Sequence, residues 1–112
     1  MLAAGQNVSF DVLRKDSKEW GRFAKSSVGA HLINSGLKYR FNVYHWNNGN
    51  YKVDYVIEKG NDIIAIEVKS GKGSTNKGLS LFNDEFHPRG VYIVGINGIP
   101  IEQFLSMNPM DL

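Results

Sequence analysis

The chain contains no cysteine. That excludes a disulfide framework and any metal centre built on thiolates. It also contains no apolar run approaching the ~20 residues that a membrane-spanning helix needs, and Met1 to Phe10 lacks the pattern of a secretory signal. A cytoplasmic protein without a membrane segment is therefore expected. The Gly/Ser-rich stretch Gly71-Lys72-Gly73-Ser74-Thr75 lacks the G-x-x-x-x-G-K-(S/T) spacing, which rules out a phosphate loop for nucleoside triphosphates there. No internal repeat or low-complexity tract is present.

What remains is a chain of 112 residues, enough for one core, with 42% hydrophobic and 21% charged residues. The formal net charge of +2 is mildly basic, which permits a nucleic-acid partner without requiring one. Residues 1–15 show no clean periodicity and read as a tail or a connection from an upstream domain. Residues 16–112 read as the folded domain.

The central stretch is Val53 to Lys69. Val53, Tyr55 and Ile57 alternate with Asp54, Val56 and Glu58, the period of a strand. Ile63 to Lys69 is a second strand, rich in β-branched residues. Gly60-Asn61 between them suits a tight hairpin turn. A turn centred there opposes residues whose numbers sum to a constant, and Asp54 then faces Glu67. Two carboxylates set that close repel each other and need a cation or a shared proton. Lys69, two residues beyond Glu67, shares its face. An Asp, a Glu and a Lys so placed suit Mg²⁺ or Mn²⁺ with phosphate oxygens, and a lysine there can stabilise charge on a phosphate.

Asp54 on one strand, followed by Glu67-Val68-Lys69 on the next, resembles the signature of the PD-(D/E)xK nuclease superfamily. The surrounding text is more specific. W-G-R-F-A-K-S-S-V-G-A-H-L-I-N, V-Y-H-W, V-D-Y-V-I-E-K-G, I-E-V-K-S-G, K-G-L-S-L-F and G-I-P-I-E-Q-F-L together resemble the C-terminal domain of a family of prokaryotic AAA-type ATPases. The resemblance runs from Trp20 onward. It implies a restriction-endonuclease-like α/β fold behind an upstream ATPase domain. It also implies a metal held by Asp54, Glu67 and the carbonyl of Val68. Lys69 would orient the attacking water, and the substrate would be nucleic acid, DNA first. The residue before Ser-(Ala/Ser)-Val-Gly-Ala-His-Leu is usually a Glu in the related domains, and here it is Lys25. A cation at that position would repel a divalent metal if it pointed inward. The resemblance therefore leaves two functions open: a metal-dependent phosphodiester hydrolase, or an inactive nucleic-acid or protein interaction module of the ATPase.

The remaining elements follow in order. Asp16 to Ser35 reads as a helix, capped by Asp16 or Ser17 with Glu19 behind it, and Gly36 reads as its stop. Its apolar stripe includes Trp20, Phe23, Ala24, Val28, His31 and Leu32. His31 is therefore expected to be packed, while His45 and His87 stand alone without metal-ligand spacing. Leu37 to Trp46 reads as a strand, joined through Asn47–Asn50 to the strand beginning at Tyr51. Ser70 to Asn76 reads as a loop, with Lys72 or Lys77 as alternative contacts for a nucleic-acid backbone. Lys77 to Phe86 reads as a helix stopped by Pro88 and Gly90, and Val91 to Val94 as a buried strand parallel to its neighbour. Pro100 to Leu105 reads as a short helix. The expected order is α-β-β-β-α-β and then a short α, a mixed sheet flanked by helices. The strand aromatics, Tyr39 to Tyr55, could stack on bases but more often pack across strands.

Overall fold

The computed structural model describes residues 17–69 and 77–112. The expectations for residues 1–16, including the Asp16 cap, and for the Ser70–Asn76 loop with Lys72 lie outside the described residues.

The order inferred from the sequence is the order found. Helix α1 spans Ser17–Tyr39, strands β1, β2 and β3 span Asn42–Asn47, Lys52–Lys59 and Asp62–Lys69, and helix α2 spans Lys77–Phe86. Strand β4 spans Gly90–Gly95, helix α3 Ile101–Phe104, and a 3₁₀ turn covers Pro109–Asp111. The sheet order is β1-β2-β3-β4. The first three strands are antiparallel and β4 runs parallel to β3. A parallel neighbour needs a crossover, which α2 supplies.

The two faces of the sheet bury different helices. On one face Phe23, Val28 and Leu32 of α1 pack with Ile57, Ile64, Ile66 and Phe104. On the other, Leu79 and Phe82 of α2 pack with Val53, Val56 and Ala65. Alternation along β3 divides these residues, with Ile64 and Ile66 to one side and Ile63 and Ala65 to the other. Fully burying a side chain of this size contributes about 1.5–3 kcal/mol relative to exposure. Helix α2 comes unusually close to the sheet at Gly78, where a Cβ would run into the Lys52 carbonyl.

The second hairpin has the inferred register, with Tyr55 opposite Ile66 and Lys59 opposite Asp62 across Gly60-Asn61. Gly60 adopts φ +61°, a conformation that glycine takes without penalty. The first hairpin turns through Asn47 to Asn50, where the Asn47 and Asn48 side chains accept backbone N–H groups of the loop.

Three details differ from the sequence reading. Helix α1 does not stop at Gly36 but continues to Tyr39. Its end is a Schellman closure: the Phe41 N–H donates to the Gly36 carbonyl at 3.1 Å, and Arg40, at φ +64°, takes the left-handed position. Gly36 is there for space, because a Cβ would lie 2.8 Å from the Phe41 carbonyl oxygen. Strand β1 consequently begins at Asn42 rather than at Leu37. Strand β4 is an outer strand, so Val94 is buried but Val91 is exposed.

Candidate functional site

The site forms where β2 departs from regular pairing. Tyr44 pairs with Val56 and Trp46 with Val53, so the single residue His45 on β1 faces both Asp54 and Tyr55 on β2. This is a β-bulge. In an unbroken strand, adjacent side chains point to opposite faces. The bulge instead lets both Asp54 and Tyr55 reach α1. The Asp54 carboxylate meets Lys25, with Nζ 3.3 Å from Oδ1. The Tyr55 hydroxyl donates to the Lys25 carbonyl at 3.0 Å. Burial and the Asp54 charge both push the Tyr55 phenol up, which keeps it an O–H donor. Gly29 makes room for this contact, since a Cβ there would crowd the Tyr55 hydroxyl.

Asp54 and Glu67 come together as the register requires. The main-chain pairing of β2 with β3 runs to Tyr55 and Ile66, and beyond it the two carboxylates take over. The Asp54 N–H donates to Glu67 Oε1 at 2.9 Å, and the Val68 N–H donates to Asp54 Oδ2 at 2.9 Å. Backbone donors that the parting strands would strand are thus satisfied by side chains. The Asp54 side chain is only 8% exposed, whereas that of Lys25 is 47% exposed. Burial pushes the Glu67 carboxyl up to about 7, and the adjoining Asp54 charge and a hydrogen bond between the two acids push the same way. Against these act the Asp54 N–H bond and the Lys25 ammonium. The pair therefore holds a proton near neutrality, as closely set carboxylates do.

His45 closes the bulge. Its Nδ1 lies 2.7 Å from the Asp54 carbonyl oxygen, which can only accept, so Nδ1 carries the proton. Its ring lies 5.2 Å from that of Tyr55. In the sequence His45 reads only as an isolated histidine without metal-ligand spacing. The signal was its position across from Asp54, which only the bulged register reveals. Lys25, His45, Lys52 and Asp54 line a shallow pocket of about 280 Å³.

Lys69 ends β3 and lines a different pocket, of about 460 Å³, together with Trp20, Ile96, Ile101 and Glu102. His31 is packed as expected: its Nε2 donates to the Met107 carbonyl at 2.8 Å, and its ring lies edge-on to Phe104. Of the strand aromatics, Trp46 packs edge-on against Phe82 and Phe86, and Tyr51 lies under the Lys77 ammonium.

The donor set does not fit a divalent cation as it stands. A hard cation needs ionised oxygens free to bind it. Both Asp54 oxygens are engaged, one by the Lys25 ammonium and the other by the Val68 N–H. Among the described residues no group of three or more His, Cys, Asp or Glu converges to hold a metal.

Fold and site together define an α/β domain with a mixed four-stranded sheet and a paired carboxylate centre bridged to its first helix. The chain belongs to the DUF4143 family, described as a domain of unknown function, whose family model matches residues 20–104. No curated protein and no solved structure matches it. Among the described residues no helix is long and apolar enough to cross a membrane.

Proposed function

We propose that this domain keeps a restriction-endonuclease-like frame and uses it for binding rather than cleavage, as an interaction module that serves an AAA-type ATPase. The observation that carries this reading is the 3.3 Å contact between Lys25 Nζ and Asp54 Oδ1. The related domains usually have a Glu at the position of Lys25, an anion suited to a metal. Here an ammonium tethered to α1 neutralises Asp54 and takes up the charge that a cation would otherwise balance. The α-β-β-β-α-β order, with Asp54 on β2 and Glu67-Val68-Lys69 on β3, supports descent from the PD-(D/E)xK pattern. The partner class that the resemblance implies is nucleic acid, DNA before RNA, or a protein.

A second reading is favoured by the convergence of Asp54 and Glu67 on adjoining strands. It is a Mg²⁺- or Mn²⁺-dependent nuclease in which Lys25 is displaced and Asp54, Glu67 and Val68 hold the metal beside Lys69. Incubating the purified chain with duplex DNA, single-stranded DNA and RNA in millimolar Mg²⁺ or Mn²⁺ separates the two. The interaction module leaves every substrate intact. Cleavage by the parent chain that disappears in both Glu67→Gln and Lys69→Met establishes the nuclease and removes the first reading.

A further inference from the structure

The bulge that joins Asp54 to Lys25 also leaves a pocket whose exposed charge is positive. On β1, Val43 packs on the α1 side of the sheet and Trp46 on the α2 side. Alternation therefore turns His45 and Asn47 toward α1. On β2, Val53 belongs to the α2 side, so its neighbour Lys52 also points toward α1. These three side chains meet Lys25 and Asp54 around the shallow pocket of about 280 Å³.

The Lys25–Asp54 pair is lopsided there. Its carboxylate is 8% exposed and its ammonium 47% exposed, so the pair shows solvent its cationic end. An ammonium has three N–H groups, and Lys25 can donate to a ligand without leaving Asp54. Lys52 is exposed, and among the described residues it has no ion-pair partner. Asn47 engages its side-chain oxygen with the Gly49 N–H, which leaves its amide N–H groups to donate. Glu67 does not line the pocket, and no Asp or Glu occurs between Glu19 and Asp54 in the chain.

His45 brings the opposite polarity. Its Nδ1–H donates to the Asp54 carbonyl, so Nε2 is left as an acceptor. Donors on three side chains and an acceptor on a fourth suit an oxyanion with a hydroxyl of its own. A phosphate monoester, whose second proton leaves at about pH 6, can supply one, and an internal phosphodiester or a carboxylate cannot. The surface then continues to another cation. Gly78 packs closely on the Lys52 carbonyl, and Lys77 beside it holds its ammonium over the Tyr51 ring, 5.4 Å from the centroid. A phosphorylated side chain brings one phosphate, whereas a nucleic-acid strand brings a series.

We infer that the bulge pocket receives the terminal phosphate of a nucleic-acid strand, with Lys25, Lys52 and Asn47 donating to its oxygens and His45 accepting from its hydroxyl. The next phosphate along the strand would meet Lys77. The inference rests on the binding reading above and narrows its partner from nucleic acid in general to a strand end.

The test uses the full chain and short fluorescein-labelled single-stranded DNA, read by fluorescence anisotropy in EDTA, where no metal-dependent cleavage intervenes. One strand ends in a phosphate opposite the dye and its control in a hydroxyl, each prepared in both polarities. A phosphoserine peptide is the third probe. Lys52→Gln removes a pocket charge, His45→Phe keeps a ring against Tyr55 without the Nε2 acceptor, and Lys38→Gln removes the same charge at the far end of α1. Thermal melting verifies that each variant folds, and either pocket variant suffices for the test. The parent should bind one phosphate-ended strand about tenfold more tightly than its hydroxyl-ended control, as a charge-assisted hydrogen bond implies. Lys52→Gln and His45→Phe should shrink that preference severalfold, Lys38→Gln should retain it, and the phosphoserine peptide should fail to bind. Equal binding of the two strand ends by the parent overturns the inference. So does a preference unchanged in the folded pocket variants, or a phosphoserine peptide that binds as tightly as the strand. Cleavage on adding Mg²⁺ is a separate result that removes the binding reading, whatever the end preference in EDTA.

Discussion

Lys25 on the first helix and Asp54 on the second strand form an ion pair, Nζ to Oδ1 at 3.3 Å, although 29 positions separate them in the chain. Asp54 is buried in this pair and its second oxygen accepts the Val68 N–H. The ammonium does structurally what a bound cation would do: it balances a carboxylate that the bulge has turned inward.

Lys25→Met should therefore cost stability, because Asp54 keeps its burial and loses its counterion. Lys25 is about half exposed, so the loss should be about 1 kcal/mol rather than the larger figure of a fully buried pair. Asp54→Asn retains an acceptor for the Val68 N–H and removes the charge. A double-mutant cycle in urea should show the two substitutions coupled, with Lys25→Met costing little once Asn occupies position 54.

Glu67 predicts a pH dependence with a definite sign. Its carboxyl holds a proton to about 7 in the folded state, against an ordinary value of 4.5. Between those values the folded chain binds more protons than the unfolded chain, so this group makes stability fall as pH rises. Above about 7 its contribution should level off. Glu67→Gln keeps an acceptor for the Asp54 N–H and cannot ionise. It should melt like the parent near pH 5 and above the parent near pH 8, as followed by circular dichroism.

Gly78 predicts a fold effect independent of the site. A Cβ there would run into the Lys52 carbonyl, so Gly78→Ala must push α2 away from β2. The gain in helix propensity is about 1 kcal/mol at most, and overpacking of this kind costs about 1–3 kcal/mol. Denaturant unfolding should show a net loss, and tryptophan emission should shift as Trp46 loses its packing on Phe82.

The parts of the fold legible in the sequence were those fixed locally. Gly60-Asn61 set the register that brings Asp54 to Glu67, and the spacing of Leu79, Phe82 and Phe86 marked α2 with the limits found. Gly36 misled because a glycine that ends a helix and one that admits a neighbouring chain look alike in sequence; its role is set by Phe41 after the turn. The resemblance, not the pattern of the residues, marked Lys25 as out of place, and its contact with Asp54 required the bulge. An extra residue in one strand relative to its partner leaves no mark in alternation alone. Val91 read as buried because apolar runs do not announce whether their strand lies at the centre or the edge.

The most direct test of the account is calorimetric titration of Mg²⁺ and of Mn²⁺ into the parent chain and into Lys25→Glu. If Lys25 stands in for the cation, the parent gives no saturable heat at millimolar metal. Lys25→Glu, with three carboxyl groups facing one another, binds the metal and melts at a higher temperature when it is present. Saturable binding by the parent that is lost in Glu67→Gln would contradict the account, because the metal would then enter between Asp54 and Glu67 with Lys25 in place.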